Sequence, residues 1–134
     1  LLEPAITILF LQALATAPLF GAAFEGDVDL RPAFDKWGLE RRCQGKRGTC
    51  SVFAVTGALE YALAAQKGTG TRLSVEYLNW ASNQAIKEYS DGSFFSDLWG
   101  GFSIYGICPE KDLPYRDKFD PNLVPSEEAK DHAR

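Results

Sequence analysis

The segment from Cys50 to Gln66 carries a single charge, Glu60, and is otherwise almost wholly apolar or small. It is too long for a strand and apolar on every face, which predicts a helix buried on most sides. Lys67 and Gly68 suit its C-terminus, the one as a cation and the other as a residue tolerant of left-handed backbone. A polar stretch with four cations, Arg41, Arg42, Lys46 and Arg47, runs directly into its start. Any fold open to this chain must therefore bury one long helix and expose a basic loop at its head.

The remainder reads as shorter helices. Ser74 suits an N-cap for a second helix to about Gln84, with Glu76 in the first turn. Asp91-Gly92-Ser93 signals a turn, and a third helix is expected over Phe94–Tyr105, ending at Gly106. Gly100-Gly101 inside it costs roughly 1 kcal/mol per glycine relative to alanine. Pro109 to Pro125 reads as an ordered loop, and Ser126-Glu127-Glu128 opens a terminal helix. Gly26 to Pro32 reads as a turn into an extended segment, since Pro32 disfavours helix at Arg31. The fold class is mainly α, with very little strand. A hydrophobic content of 46% excludes wholesale disorder, and a net charge of -4 argues against nucleic acid as partner.

Ahead of these helices, Ala5 to Phe24 form an apolar run long enough to cross a bilayer. Small-x-small triplets, Ala13-Leu14-Ala15 and Gly21-Ala22-Ala23, fit a signal-peptidase site. Residues 1–26 therefore read as an export leader, with a membrane anchor or a buried helix as alternatives, and 27–134 as the folded domain. The expected location is secreted, periplasmic or extracellular. The chain has no methionine and no basic residue before the apolar run, as expected if it begins after its natural start.

Chemistry concentrates at Cys50. A thiol at a helix N-terminus faces unpaired backbone N–H groups and the positive end of the helix dipole, which favour an anion. Gln44 is an amide donor in the same loop, and with the Cys50 N–H it would make a two-donor oxyanion hole. The plainer reading is a structural cysteine behind a solvated basic loop.

The string Gln44-Gly45-Lys46-Arg47-Gly48-Thr49-Cys50-Ser51-Val52-Phe53-Ala54 resembles the nucleophile segment of papain-like cysteine proteases. Three further stretches resemble the same family in the same order. Leu73-Ser74-Val75-Glu76-Tyr77-Leu78 is similar to its second helix, and Asp91-Gly92-Ser93 falls at its cleft-lining glycines. Tyr105-Gly106-Ile107, Glu110 and Pro114-Tyr115 are similar to its "YGI…E…YPY" stretch. The resemblance runs from about Leu30 to Tyr115. It implies an α+β papain-like fold, of which the helical half is present here and the β domain largely absent.

It also implies a cysteine peptidase with Cys50 as nucleophile and Gln44 as oxyanion donor. Gly48, Gly92, Ser93 and Phe94 would bind a peptide or protein substrate, with Phe95 helping to shape the pocket. No metal or cofactor is implied. Close relatives read C-G-[SA]-C-[WY] around the nucleophile. Here the window is Arg47-Gly48-Thr49-Cys50-Ser51, so the usual nearby disulfide is absent, and Trp80 stands where a cysteine is usual. Of the remaining cysteines, Cys43 and Cys108, the resemblance suggests a disulfide, with two unpaired thiols as the alternative.

The family's catalytic histidine and asparagine follow the cysteine by about 130–150 residues. That puts them beyond Arg134, in a missing C-terminal half of the same enzyme. His132 reads as a solvated surface residue, and this chain alone is expected to be inactive. Another reading is a non-catalytic binding module on the same fold, and an acyl transferase with the same Cys-His chemistry is a third. Glu60 reads as a polar core anchor. Tyr105, Tyr115, Trp99 and Phe102 read as core rather than ligand platform. The cations at 41–47 read as a solvated loop or, more sharply, as a preference for acidic groups near the cleft.

Overall fold

The structure, a computed structural model, describes residues 26–134, so the leader reading of the first residues lies outside the described residues. Among those described there are five helices and one isolated bridge, Leu73 to Pro109, and no strand. None of these helices is long and apolar enough to cross a membrane.

α1 spans Arg31–Lys36, where an extended segment was expected. Pro32 lies in the first turn, where its missing N–H has no intrahelical acceptor to lose. The Asp29 carboxylate accepts the Arg31 backbone N–H at 3.0 Å and pre-forms the turn. Phe34 and Trp37 then seat α1 on Tyr61, with ring centroids 5.5 and 5.4 Å apart.

α2 spans Cys50–Lys67 and ends on Gly68 with left-handed backbone. Its start and end match expectation, but its burial does not. Only Val52, Thr56, Glu60 and Ala64 are buried, a single stripe at four-residue spacing. Ala54, Ala58 and Ala62 are exposed on another side. Uniform apolarity along a helix thus identified a core element without saying which of its faces these neighbours cover.

α3, Val75–Ile86, is the most enclosed element, with eight buried residues. The Ser74 hydroxyl accepts the Tyr77 N–H at 2.9 Å and donates to the Leu113 carbonyl at 2.6 Å, so the expected N-cap also anchors the returning chain. α4, Phe95–Tyr105, lies against it. A Cβ on Gly101 would stand 2.5 Å from the Ser82 nitrogen, so the glycine that weakens the isolated helix permits the close helix–helix approach. α5, Glu127–His132, is capped by the Ser126 hydroxyl, which accepts the Ala129 N–H.

Two apolar clusters result. One joins Val52, Val75, Leu78 and Leu98, with Phe53, Phe102 and Tyr115 against it. The other joins Tyr77, Ala81, Cys108, Leu113, Ala129 and Ala133. Each fully buried Val or Leu contributes about 1.5–3 kcal/mol. Tyr105 and Phe102 pack here as expected, but Trp99 is 58% exposed and belongs to the surface. Glu60 is the polar anchor the sequence suggested. It is 2% exposed, accepts the Leu73 N–H at 2.8 Å and pairs with Arg42 at 2.9 Å.

Candidate active site

The loop between α1 and α2 is held at several points. Tyr115 fastens both ends: its hydroxyl donates to the Gln44 carbonyl at 2.9 Å and lies 2.7 Å from the Thr49 hydroxyl. Thr49 is the N-cap residue of α2, yet its side chain makes no cap hydrogen bond. Its hydroxyl is engaged with Tyr115 instead. The first N–H groups of α2 therefore have neither an intrahelical acceptor nor a capping side chain. Cys50 sits in that first turn, exposed. Phe53, one turn further along, packs edge-on against the Tyr115 ring at 5.0 Å.

The Gln44 side chain turns inward. Its amide Nε2 donates to the Arg47 carbonyl at 2.9 Å. An amide carries two N–H donors, so one remains to point elsewhere. A hollow of about 380 Å³ opens beside it, lined by Cys43, Gln44, Gly45, Lys46, Tyr115 and Asp117.

The turn at 91–93 is pressed onto this loop. Gly92 has φ +86°, and a Cβ there would collide with the Gly48 carbonyl. Only glycine fits, on both conformational and steric grounds. The Gly92 N–H donates to Asn79 Oδ1 at 2.9 Å and the Ser93 N–H to the Ser51 hydroxyl at 3.5 Å. Serine in place of a large aromatic after Cys50 thus acts as an acceptor for the turn. Gly48, Gly92 and Ser93, singled out from sequence as substrate-binding, are brought together beside Cys50. Phe94 follows as a bare aromatic, 81% exposed, with Phe95 also exposed beside it.

Sequence reasoning underrated the loop's cations. Arg47 is buried, not solvated. Its guanidinium meets Glu76 Oε2 at 2.6 Å, Asp91 Oδ1 at 2.9 Å and the Arg116 carbonyl at 2.8 Å. It lies 4.6 Å from the centroid of the Tyr115 ring. Burial alone would weaken its charge, but the hydrogen bonds to Asp91 and Glu76 outweigh that and raise its pKa above the ordinary arginine value. Arg42 is likewise engaged, with Glu60, with Glu110 at 3.3 Å and with the Leu73 carbonyl. Neither arginine is available for the solvated, acid-seeking role considered for the cluster. Glu76, Asp91 and Asn79 were missed as site supports. The available signal was an arginine, three residues before the cysteine, in an otherwise family-like window.

The disulfide suggested between Cys43 and Cys108 is not formed: all three cysteines are free. Cys43 is exposed in the loop, where its sulfur accepts the Gly45 N–H at 3.4 Å. Cys108 is buried against Tyr77 and Leu113 in the second apolar cluster. Burial first, and then the Asp112 carboxylate, push its thiol up to about 11. His132 is engaged with Asp112, Nδ1 to Oδ2 2.9 Å, on α5 and half-exposed, in keeping with the surface reading. Among the described residues no group of three or more His, Cys, Asp or Glu is placed to hold a metal ion.

No protein-family model matches the chain. Among curated proteins it is similar to gamete and mating-type specific protein A of Dictyostelium discoideum, 31% identical over 75 residues, which is 56% of this chain and 17% of that protein. Among solved structures it is similar to xylellain, a cysteine protease from Xylella fastidiosa, with TM-score 0.55 and 22% identity over 67% of this chain and 39% of that one. Digestive procathepsin L 3 of the Tenebrio molitor larval midgut gives TM-score 0.55 and 28% identity, over 70% of this chain and 30% of that one. A structure from work on the mite allergens Blo t 1 and Der p 1 gives TM-score 0.58 and 23% identity, over 81% and 38%. The chain thus spans well under half the length of each of these four proteins. What these likenesses establish is the fold: residues 26–134 have the architecture of the helical N-terminal domain of papain-like cysteine proteases.

Proposed function

We propose that the chain is the nucleophile-bearing part of an exported cysteine peptidase, with residues 1–26 as leader and 27–134 as its helical domain. The observation that carries this is the arrangement at the head of α2. Cys50 lies exposed in an uncapped first turn, with the Gln44 amide held in the preceding loop and Gly92-Ser93 packed alongside. The Cys50 thiolate attacks a peptide carbonyl carbon, and the carbonyl electron pair moves to oxygen. The free Gln44 N–H and the Cys50 N–H donate to that oxyanion. Collapse expels the amine, which takes a proton from an imidazolium, and water then releases the acyl group. The imidazole would come from a further part of the enzyme, together with the second wall of the cleft.

The test is covalent labelling. A peptidyl epoxide or aldehyde should modify Cys50 ahead of Cys43 and leave Cys108 untouched, and Cys50→Ala should abolish the product seen by mass spectrometry. Equal modification of Cys43 and Cys50 would count against the reading. The 134-residue chain alone should not turn over a small peptide substrate. Turnover lost in Cys50→Ala would show that no imidazole from elsewhere is needed. A non-catalytic peptide-binding module is a second reading, supported by the exposed Phe94, Phe95 and Trp99 beside and beyond the turn. It predicts reversible peptide binding unchanged by Cys50→Ala.

A further inference from the structure

Arg47 stands where four segments of the site meet. It belongs to the cysteine loop, and its side chain touches Glu76 of α3, Asp91 of the turn, and the Tyr115–Arg116 segment. Four of its five N–H groups have acceptors: Nε and Nη2 on Asp91, and both Nη1 hydrogens on Glu76 and the Arg116 carbonyl. Arg47 and Glu76 are almost wholly enclosed, their side chains 4% and 1% exposed. A planar fork with this many fixed acceptors has little freedom left, so the backbone of residue 47 is fixed with it. The backbone carbonyl of this same residue accepts the Gln44 amide.

We infer that Arg47 is the positioning residue of the Gln44 amide: its buried guanidinium fixes the carbonyl that orients this donor, and the same pairing holds the 91–93 turn against the cysteine loop. The two functions share one side chain. Asp91 immediately precedes Gly92, whose backbone meets Gly48, so the pull of Arg47 on Asp91 draws the turn onto the loop. Tyr115 supports the arrangement from the other side, stacked on the guanidinium while its hydroxyl holds the Gln44 carbonyl. Arg47 touches no reacting atom. It acts through Gln44, and the catalytic meaning of that donor rests on the peptidase reading above.

The placement itself is tested without chemistry, by side-chain amide hydrogen exchange in the 15N-labelled 134-residue chain. Gln66, exposed near the end of α2, is the internal reference. The Gln44 amide should exchange about fivefold more slowly than Gln66, the protection expected of one net hydrogen bond. In Arg47→Met that difference should vanish while Gln66 is unchanged, and Arg47→Lys should restore part of it through a single remaining contact to Asp91 or Glu76. Arg42→Met, which disturbs the loop elsewhere, should leave Gln44 protected. Unchanged protection in Arg47→Met, or equal loss in Arg42→Met, overturns the inference. Should Arg47→Met not fold, Asp91→Asn gives the same test at smaller amplitude, and full protection there overturns it equally. Peptide-aldehyde labelling of Cys50 in the unaltered chain decides the separate matter of the peptidase reading. If it fails while the exchange pattern holds, Arg47 still positions Gln44 and only the use made of Gln44 is wrong.

Discussion

Arg42 and Arg47 lie five positions apart in one loop and both pair with two carboxylates, yet their surroundings differ. Arg47 is 4% exposed, and of its partners Glu76 is 1% exposed and Asp91 20%. Arg42 is 19% exposed, and one of its partners, Glu110, is 25% exposed. Its other partner, Glu60, keeps contacts to Arg72 and the Leu73 N–H. Without Arg47, Glu76 would keep only the Arg116 backbone N–H at 3.2 Å and no cation, whereas Glu60 shares Arg42 with Arg72. The difference teaches that the chain places its least replaceable ion pair at the proposed site, not at the centre of α2.

The largest effect that would break this comparison belongs to Arg47→Met. Removing one member of a buried pair strands the other charge, at a cost of about 3–5 kcal/mol. Urea unfolding should show this as a fall in midpoint with the slope little changed. A loss similar to that of Arg42→Met would mean that burial does not distinguish the two.

The next effect contrasts a buried group that keeps its charge with one that cannot. Arg47 stays ionised because carboxylates surround it. Cys108 is buried without a cation and stays neutral, its thiol held at about 11 against an ordinary value near 9.0. The unfolded chain ionises first, so it binds fewer protons than the folded chain between those two values. Stability is therefore full below about pH 8 and falls as pH rises from 9 to 11, by on the order of 2 kcal/mol. Cys108→Ala should flatten that part of the profile, and a thiol reagent at pH 8 should find Cys43 and Cys50 but not Cys108.

The contrast between the arginines also marks how far sequence reading reaches. Caps are local chemistry, and Ser74, Ser126, Gly68 and Gly106 stand close to where the helices start or stop. Glu60 was legible because a lone charge in an apolar helix must find a partner. Arg47 was not, because its acceptors Glu76, Asp91 and Arg116 lie 29, 44 and 69 positions away, and a run of cations looks the same whether solvated or enclosed. α1 was misread because Pro32 was weighed as a breaker, although in the first turn it is compatible with helix. Gly101 was counted as a local cost, while its reason is Ala81 and Ser82 on another helix. The suggested pairing of Cys43 with Cys108 failed for a related reason: the resemblance does not say which thiol the core will enclose, and Cys108 is buried while Cys43 is exposed. Cys50, Gln44, Gly48, Gly92 and Ser93 were found together because the family resemblance fixes their order, and the structure gathers them about one loop.

Arg42→Met sharpens the comparison at a smaller scale. Glu60 would keep the Leu73 N–H and Arg72, so the loss should be about 1.5–3 kcal/mol, that of a charge-assisted hydrogen bond with its acceptor still partnered. Combining Arg42→Met with Arg72→Met removes the sharing. The pair should then cost more than the two single changes together, because only the double variant leaves Glu60 without a cation. Strict additivity would show that the two arginines do not substitute for one another.

Arg31 supplies the far end of the same series. It pairs with Asp29 through two side-chain contacts of 2.8 Å, shorter than those Arg42 makes, yet it is 84% exposed. If geometry governed these pairs, Arg31→Met would cost more than Arg42→Met. If burial governs them, Arg31→Met should leave the thermal midpoint where it was, because water and salt screen an exposed pair and holding two mobile side chains together costs entropy. Asp29→Ala should lower the midpoint more than Arg31→Met does, since Asp29 also accepts the Arg31 backbone N–H at the start of α1, a contact that Arg31→Met retains. A thermal series across Arg31, Arg42 and Arg47 should thus rank by enclosure and not by distance, and a midpoint shift in Arg31→Met matching that of Arg42→Met would reverse that order.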